Sequence, residues 1–218
     1  MKNRTIMIAG ATGLVGRELL QGLLTDPTVA AVHSLGRRPL AITHPKLRSH
    51  VVDFAALPAL PPADEAYLAL GTTIKVAGSE AAFRAVDYAA NLAMAQAAQA
   101  AGVKRVGLVS AMGADAASKV FYSRVKGELE GALAQLAFEG LVIARPSLLV
   151  GDRTRLGQPT RRGEELGYAL SRALRFLIPR HYLPIEAARV ARALLHAVPY
   201  ASGKIVLLSG AMQSAQAA

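Results

Sequence analysis

The stretch TIMIAGATGLVGRELLQGLL, residues 5–24, decides the fold. It opens with residues 5–9, a run of apolar and β-branched side chains that is typical of a buried parallel strand. Glycines follow at once, at positions 10, 13 and 16. Leucines then recur at helical spacing as far as Leu24. The segment therefore predicts a strand, a tight glycine turn and a helix.

Each glycine of this turn has a separate predicted role. Gly10 lets the chain turn, Gly13 lets the backbone approach a pyrophosphate, and Gly16 lets the helix pack closely on the strand. The free N–H groups and the dipole of the first helical turn favour a bound anion, to which Thr12 would add a hydroxyl donor. The alternative is a turn that joins strand and helix without binding anything. We expect the dinucleotide to contact Gly10, Ala11, Thr12, Gly13, Leu14, Val15 and Gly16.

Composition narrows the classes of function. The chain has 218 residues, enough for one well-buried domain, and it contains no cysteine, which excludes disulfides, thiolate metal sites and a cysteine nucleophile. Its formal net charge is +10, but the basic residues are dispersed and no nucleic-acid motif accompanies them, so we expect no nucleic-acid partner. We also expect no membrane span, no signal peptide, no metal cluster and a cytoplasmic location.

The second predicted strand, residues 30–35, runs into Gly36, Arg37 and Arg38. An acidic residue at the end of this strand would bind the ribose hydroxyls of NAD, and none is present. Arginine is the preferred partner of a phosphate dianion. Arg37 and Arg38 therefore favour NADP(H) over NAD(H), unless both are ordinary surface charges.

Strands and helices alternate along the rest of the chain. Further strands are predicted at 47–52, 66–70, 103–110, 141–145 and 204–208, and helices at 79–101, 119–138, 164–177 and 185–197. This alternation predicts one α/β domain over 1–218, with a doubly wound parallel sheet and helices on both faces. Ligands of such sheets bind beyond the carboxyl ends of the strands. Gly71, Thr72 and Thr73 follow the fourth strand and are small enough to let a cofactor pass closely.

Tyr122 and Lys126 form the candidate chemical centre. Residues four apart on a helix lie on one face. A tyrosine ordinarily titrates near pH 10, and a neighbouring ammonium favours the phenolate, so Lys126 would make Tyr122 a usable proton donor or acceptor for a carbonyl/alcohol pair. Ser110 ends the fifth strand and would hydrogen-bond the substrate oxygen, with Ser118 as the alternative serine. The competing interpretation is a half-buried helix tyrosine beside a solvated lysine.

The C-terminal part should supply the substrate side. We expect residues 152–200 to form a small lobe within the domain, with a loop at 157–163, and residues 210–218 to be a disordered tail. His181 and Tyr182 lie either near the pocket mouth or in ordinary packing.

Three segments besides the glycine turn carry a family resemblance. They are LGTTIKVAGSEAAFRAVD (70–87), LVSAMGADAASKVFYSRVKGELE (108–130) and ARPSLLVGDR (144–153). Together they resemble the atypical short-chain dehydrogenase/reductases of the Tat-interacting-protein type. The resemblance implies a Rossmann fold, bound NADP(H), and a catalytic set carried here by Ser110, Tyr122 and Lys126, with Lys126 also holding the nicotinamide ribose.

The resemblance also assigns positions around the cofactor. It places Asp53 and Phe54 beside the adenine, although Asp53 is equally well read as a loop cap. It places the turn Pro146, Ser147 and Leu148 beneath the nicotinamide. In extended relatives an acidic residue stands where this chain has Arg189, which argues against a sugar-nucleotide role.

Three functions follow as hypotheses. The first is an NADP(H)-dependent oxidoreductase, monomeric or homodimeric, that acts on a small carbonyl or alcohol. The second is an NADP(H)-binding regulator or redox sensor without turnover. The third is an epimerase or dehydratase of nucleotide sugars that recycles its bound cofactor.

Overall fold

A computed structural model describes residues 3–150 and 183–214 of the chain. The strands are β1 (Arg4–Ala9), β2 (Val29–Gly36), β3 (Leu47–Val51), β4 (Glu65–Leu68), β5 (Arg105–Val109), β6 (Gly140–Arg145), β7 (Leu149–Val150), β8 (Ile185–Glu186) and β9 (Gly203–Leu208). The helices are α1 (Leu14–Thr25), α2 (Ile74–Ala77), α3 (Glu80–Arg84), a π-helical turn (Ala85–Ala90), α4 (Asn91–Ala100), α5 (Phe121–Ala134), α6 (Ala187–Ala197), a 3₁₀ turn (Val198–Tyr200) and α7 (Ser209–Ser214).

Seven of these strands form one parallel sheet in the order β3-β2-β1-β4-β5-β6-β9. The chain first winds outward from β1 to β3, then returns to the other side of β1 and winds outward from β4 to β9. This reversal beside β1 is the topological switch point at which open α/β sheets bind their ligands. The doubly wound Rossmann fold predicted from the sequence is confirmed.

Each face of the sheet buries its own apolar cluster. Ile6 and Ile8 point to the face covered by α1 and α6, where Leu194 is fully buried. Met7 points to the opposite face, where α4 and α5 contribute Met94 and Leu129. Because alternate residues of β1 are buried on opposite sides, the strand needs helices on both.

Several predicted boundaries differ from the structure. The helix predicted over 79–101 contains the π-helical turn, and its ends are as expected: the Ser79 hydroxyl accepts a hydrogen bond from the Ala82 N–H, and Gly102 has φ +88°. The helix predicted over 119–138 covers only Phe121–Ala134. The helix predicted over 185–197 begins at Ala187, because Ile185–Glu186 pairs with β7 instead.

The described C-terminal residues, 183–214, pack into the body of the domain, whereas residues 152–182 of the predicted lobe lie outside the described residues. Helix α6 packs against α1 in the main helical layer, and β9 pairs with β6. The tail expected to be disordered from residue 210 begins instead with α7, in which Met212 is 1 % exposed and packs into the apolar cluster under α6. The remaining tail, the loop at 157–163, the helix at 164–177 and His181 and Tyr182 lie outside the described residues.

Within residues 3–150 and 183–214, no helix has the length and apolar character that a membrane crossing requires.

Candidate functional site

Four segments meet at one edge of the sheet. Parallel strands all end on the same edge, so the glycine turn after β1, the loop after β4, Ser110 after β5 and Pro146 after β6 lie along it. The structure thus brings together most of the positions selected from the sequence.

The three glycines of the turn differ in how much room a side chain would have. Gly10 has φ +90°, and a Cβ there would lie 2.3 Å from the Ala69 carbonyl oxygen. A Cβ at Gly16 would lie 2.0 Å from the Gly10 oxygen. A Cβ at Gly13 would lie 3.4 Å from the Gly10 oxygen, an ordinary van der Waals contact. The packing of the described residues therefore requires Gly10 and Gly16 but does not require Gly13.

The first turn of α1 can receive an anion. Its N-cap residue is Gly13, whose lack of a side chain leaves the amides uncapped, and no acidic residue lies in the turn. Beside it Thr12 is exposed, whereas Ala11 and Val15 are buried. Free amides, an exposed hydroxyl and the positive end of the helix dipole form the usual surroundings of a bound phosphate.

Past β2, Arg37 and Arg38 are both exposed, and neither forms an ion pair with any residue in the described part of the chain. After β3, the Asp53 Oδ1 atom accepts a hydrogen bond from the Ala55 N–H at 2.9 Å, so its loop-capping role is present in the structure. The Phe54 side chain is buried in the core.

The loop after β4 is tied to the helical layer behind it. Gly71 is exposed, and the Thr72 N–H donates to the Asp87 Oδ2 atom at 2.8 Å. Thr73 caps α2 by accepting a hydrogen bond from the Val76 N–H.

Tyr122 and Lys126 lie on the first turns of α5. The Tyr122 ring is half-buried and packs on Phe83, with 5.4 Å between ring centroids. Lys126 is 4 % exposed, and its Nζ lies 2.8 Å from the Asp87 Oδ1 atom, which is itself buried. Lys126 is therefore not a solvated helix lysine: it is a fixed, buried cation four residues from a tyrosine.

Ser110 is buried and already hydrogen-bonded. Its Oγ donates to the Glu130 Oε1 atom at 2.5 Å, and Arg145 binds the same carboxylate at 2.6 to 3.2 Å. The hydrogen bond to Glu130, partly opposed by desolvation, raises the pKa of Arg145. In this conformation the Ser110 proton points at Glu130 rather than at a substrate. The alternative, Ser118, accepts a hydrogen bond from the Val120 N–H.

The turn after β6 joins the body of the domain to its C-terminal part. Pro146 is buried, and its carbonyl accepts a hydrogen bond from the Met112 N–H. The Ser147 hydroxyl donates to the Leu183 carbonyl at 2.5 Å and lies 2.9 Å from the Ser209 hydroxyl. Leu148 is exposed.

Sequence reasoning missed three buried polar residues of this region: Asp87, Asn91 and Glu130. Asp87 closes the segment 70–87 that carries the family resemblance, yet it was not selected as a site residue. An acid and an amide inside an alanine-rich helix were the available signal, because such residues are buried only when they have partners. Among the described residues, no group of three or more His, Asp or Glu is arranged to hold a metal ion.

Comparisons with known proteins identify the family of the chain. A family model described as NAD(P)H-binding matches residues 10–173. The mitochondrial protein FMP52 of Coccidioides immitis is 39% identical over 165 residues, which are 68% of this chain and 67% of that protein. Protein HTATIP2 of Rattus norvegicus is 36% identical over 173 residues, or 76% of this chain and 69% of that protein.

Solved structures share the fold at lower identity. MoeE5 in complex with UDP-glucose and NAD has a TM-score of 0.68 at 19% identity, covering 93% of this chain and 75% of its own. A short chain dehydrogenase family protein from Francisella tularensis has a TM-score of 0.66 at 11% identity, covering 97% and 99%. Sequence match, sheet order and glycine turn lead to one assignment: the chain belongs to the NAD(P)H-binding family of Rossmann-fold proteins, together with the HTATIP2 and FMP52 proteins.

Proposed function

We propose that this protein is an NADP(H)-dependent oxidoreductase that transfers a hydride to or from a small carbonyl or alcohol. The observation that carries the proposal is the buried Lys126 ammonium, held on the same helical face as Tyr122 and next to the loop that follows β4. A buried charge is costly unless a partner compensates it, and the Asp87 carboxylate 2.8 Å away compensates this one. Held in this position, the ammonium would bind the ribose of the nicotinamide.

The parts of the cofactor would be shared among segments at the sheet edge. The open space at Gly13 and the amides of α1 suit the pyrophosphate. Arg37 and Arg38 are exposed and have no ion-pair partner among residues 3–150 and 183–214, so they suit a 2′-phosphate. NADP(H) itself supplies the hydride chemistry when bound.

Tyr122 would then handle the proton. Its hydroxyl gives a proton to the carbonyl oxygen in reduction, or takes one from the alcohol in oxidation, while Lys126 stabilises the phenolate form. Ser110 enters this scheme as a donor to the substrate oxygen after its hydroxyl turns away from Glu130.

The proposal is tested by measuring enzymatic turnover. A panel of small aldehydes and ketones is screened for NADPH oxidation with the parent protein. The variant Tyr122→Phe, which keeps the ring against Phe83, should lose at least about a hundredfold in kcat on every accepted substrate. Tyr200→Phe, at an 83 % exposed tyrosine, is the matched control and should keep parental turnover. Equal activity of the Tyr122 variant would exclude the proposed proton transfer.

A second candidate is a cofactor-binding regulator without turnover. One contact favours it: the Ser110 proton is already committed to Glu130, which is in turn held by Arg145. Under this alternative the parent binds NADPH but oxidises it with no carbonyl compound in the panel. Under this alternative, Ser110→Ala binds NADPH as the parent does and likewise shows no turnover.

A further inference from the structure

We infer that Asp87 is a positioning residue that fixes the cofactor-facing loop and the Lys126 ammonium together. The inference rests on the proposed function and concerns a residue that the catalytic set does not include. The two carboxylate oxygens of Asp87 have different partners. Oδ2 accepts a hydrogen bond from the Thr72 N–H at 2.8 Å, and Oδ1 lies 2.8 Å from the Lys126 Nζ.

Burial makes the ion pair between Asp87 and Lys126 strong enough to fix both side chains. The side chains of Asp87 and Lys126 are 1 % and 5 % exposed. An ion pair at the surface is worth little, but a buried charge that loses its partner is strongly unfavourable, so each holds the other in place. Lys126 therefore has a defined position before any cofactor binds.

The backbone around Asp87 is built to present it. Asp87 lies in the π-helical turn Ala85–Ala90, a local widening of the helix that recurs at functional sites. Asn91, fully buried, stabilises the turn: the two N–H groups of its Nδ2 atom lie within hydrogen-bond distance of the carbonyls of Val86, Asp87 and Leu70. The Leu70 contact attaches the turn to the chain just after β4. The turn that carries Asp87 is thus attached to the loop after β4 at Leu70, and the Asp87 carboxylate binds the same loop at Thr72.

Asp87 therefore connects two parts of the site, the loop after β4 and Lys126. Thr72 belongs to the loop where the ribose of the cofactor is expected to pass, and Lys126 is the expected partner of the nicotinamide ribose. Removing the negative charge of Asp87 leaves a buried ammonium without a counter-ion and loosens the loop amide. The nicotinamide half of NADPH should lose contacts, whereas the adenosine half, bound near Arg37 and Arg38, should not.

The experiment compares two probes on matched variants. Dissociation constants for NADPH and for 2′,5′-ADP, which lacks the nicotinamide half, are measured by calorimetry on the parent, Asp87→Asn and Glu65→Gln. Glu65 is an equally buried acid, but it pairs with Arg4 at the opposite end of β4. Both variants should unfold at lower temperature than the parent. Should Asp87→Asn fail to fold, Asp87→Glu, which keeps the charge and shifts it by one methylene, is measured by the same criterion.

We expect the ratio of the NADPH to the 2′,5′-ADP dissociation constant to rise about fivefold or more at position 87, and to stay within about twofold of the parental ratio in Glu65→Gln. A ratio within about twofold of the parent at position 87 overturns the inference and assigns Asp87 a purely structural role. A parent protein that binds no NADPH instead refutes the proposed function, before Asp87 is changed.

Discussion

Gly13 and Gly16 lie three residues apart in one turn, yet their surroundings differ. At Gly16 the nearest atoms are backbone, and backbone cannot rotate out of the way; at Gly13 φ is −77°, which any residue adopts, and a Cβ fits. Two glycines that look equivalent in the sequence therefore have different explanations. Packing explains Gly16, whereas for Gly13 the explanation we propose is the bound ligand.

The first prediction separates these reasons. Gly16→Ala should destabilise the protein by about 1 to 3 kcal/mol, as overpacking of a tight site does. The free energy of unfolding of Gly13→Ala should stay within about 0.5 kcal/mol of the parent's, because the added Cβ makes only ordinary van der Waals contacts. Yet Gly13→Ala should bind NADPH more weakly. Urea unfolding and an NADPH titration measure both effects, and parental NADPH affinity in Gly13→Ala would contradict the phosphate role.

Single residues also mark where prediction from the sequence fails. Gly10, Tyr122 and Lys126 were selectable because their spacing along the chain carries the information. Asp87 and Glu130 were not, because their importance lies in contacts with Lys126 and Arg145 that are far away in sequence. The same is true of Ser110: its position at the end of a strand is readable, whereas the direction of its hydroxyl is not.

At the scale of elements, α5 carries two glycines with opposite predicted effects. A Cβ at Gly127 would lie 2.2 Å from the backbone of Asp115 and Ala116, in the loop that crosses the helix. A Cβ at Gly131 would meet no atom of the described residues within 4 Å outside its own helix. Gly127 thus lets the loop after β5 rest on the helix that bears Tyr122.

The second prediction uses this pair. Gly131→Ala should stabilise the protein by about 0.5 to 1 kcal/mol, the usual gain when alanine replaces a helical glycine. Gly127→Ala should destabilise it by more than about 1 kcal/mol by lifting the loop. Chemical unfolding of the two variants, side by side, checks the signs. A stabilised Gly127→Ala would show that the loop does not lie on the helix.

The pairing of β2 with β3 should depend on pH through His33. Its ring nitrogen lies 2.9 Å from that of His50. Burial first, then His50 and Arg48, lower the pKa of His33 below its ordinary value of 6.5. The unfolded chain therefore takes up a proton at a pH where folded His33 remains neutral, so stability falls as pH drops below about 6.5.

The third prediction follows. His33→Gln should reduce the loss of melting temperature between pH 7 and pH 5, while His196→Gln, at an exposed histidine of α6, should leave it as in the parent. Thermal unfolding across this range is the measurement. An unchanged slope in His33→Gln would assign the acid sensitivity to other groups.

Element boundaries show what local patterns miss. Ile185 and Glu186 fit a helical pattern, but pairing with β7 makes them a strand. The π-helical turn lies in a segment whose pattern predicts ordinary helix throughout. For Ile185 and Glu186, a contact made by a distant segment overrides the local preference.

At the scale of the whole molecule, residues 183–214 add a helix and a strand to the layers formed by the first 150 residues. Helix α6 covers the same face as α1, and β9 extends the sheet past β6. Alternating strands and helices made this doubly wound arrangement predictable. Which helix covers which face was less so, since it depends on the packing of residues nearly the length of the chain apart.

The fourth prediction concerns this integration. Leu194, fully buried between α6 and the sheet, should cost about 2 to 5 kcal/mol when replaced by alanine. Leu208→Ala, at a leucine 44 % exposed on β9, should cost less than about 1 kcal/mol. Calorimetry should show one shifted transition for Leu194→Ala. A separate early transition would mean that α6 belongs to an independent unit.

The central claim is that the sheet edge binds NADP(H), and a titration of the parent and of Arg37→Ala/Arg38→Ala with NADPH and NADH tests it most directly. The account predicts that the parent binds NADPH more tightly than NADH. It also predicts that the double variant loses about tenfold or more in NADPH affinity, because two charge-assisted contacts to the 2′-phosphate are gone, while NADH affinity stays unchanged. Equal binding of both cofactors by the parent would contradict the preference for NADP(H), and binding of neither would contradict the proposed function as a whole.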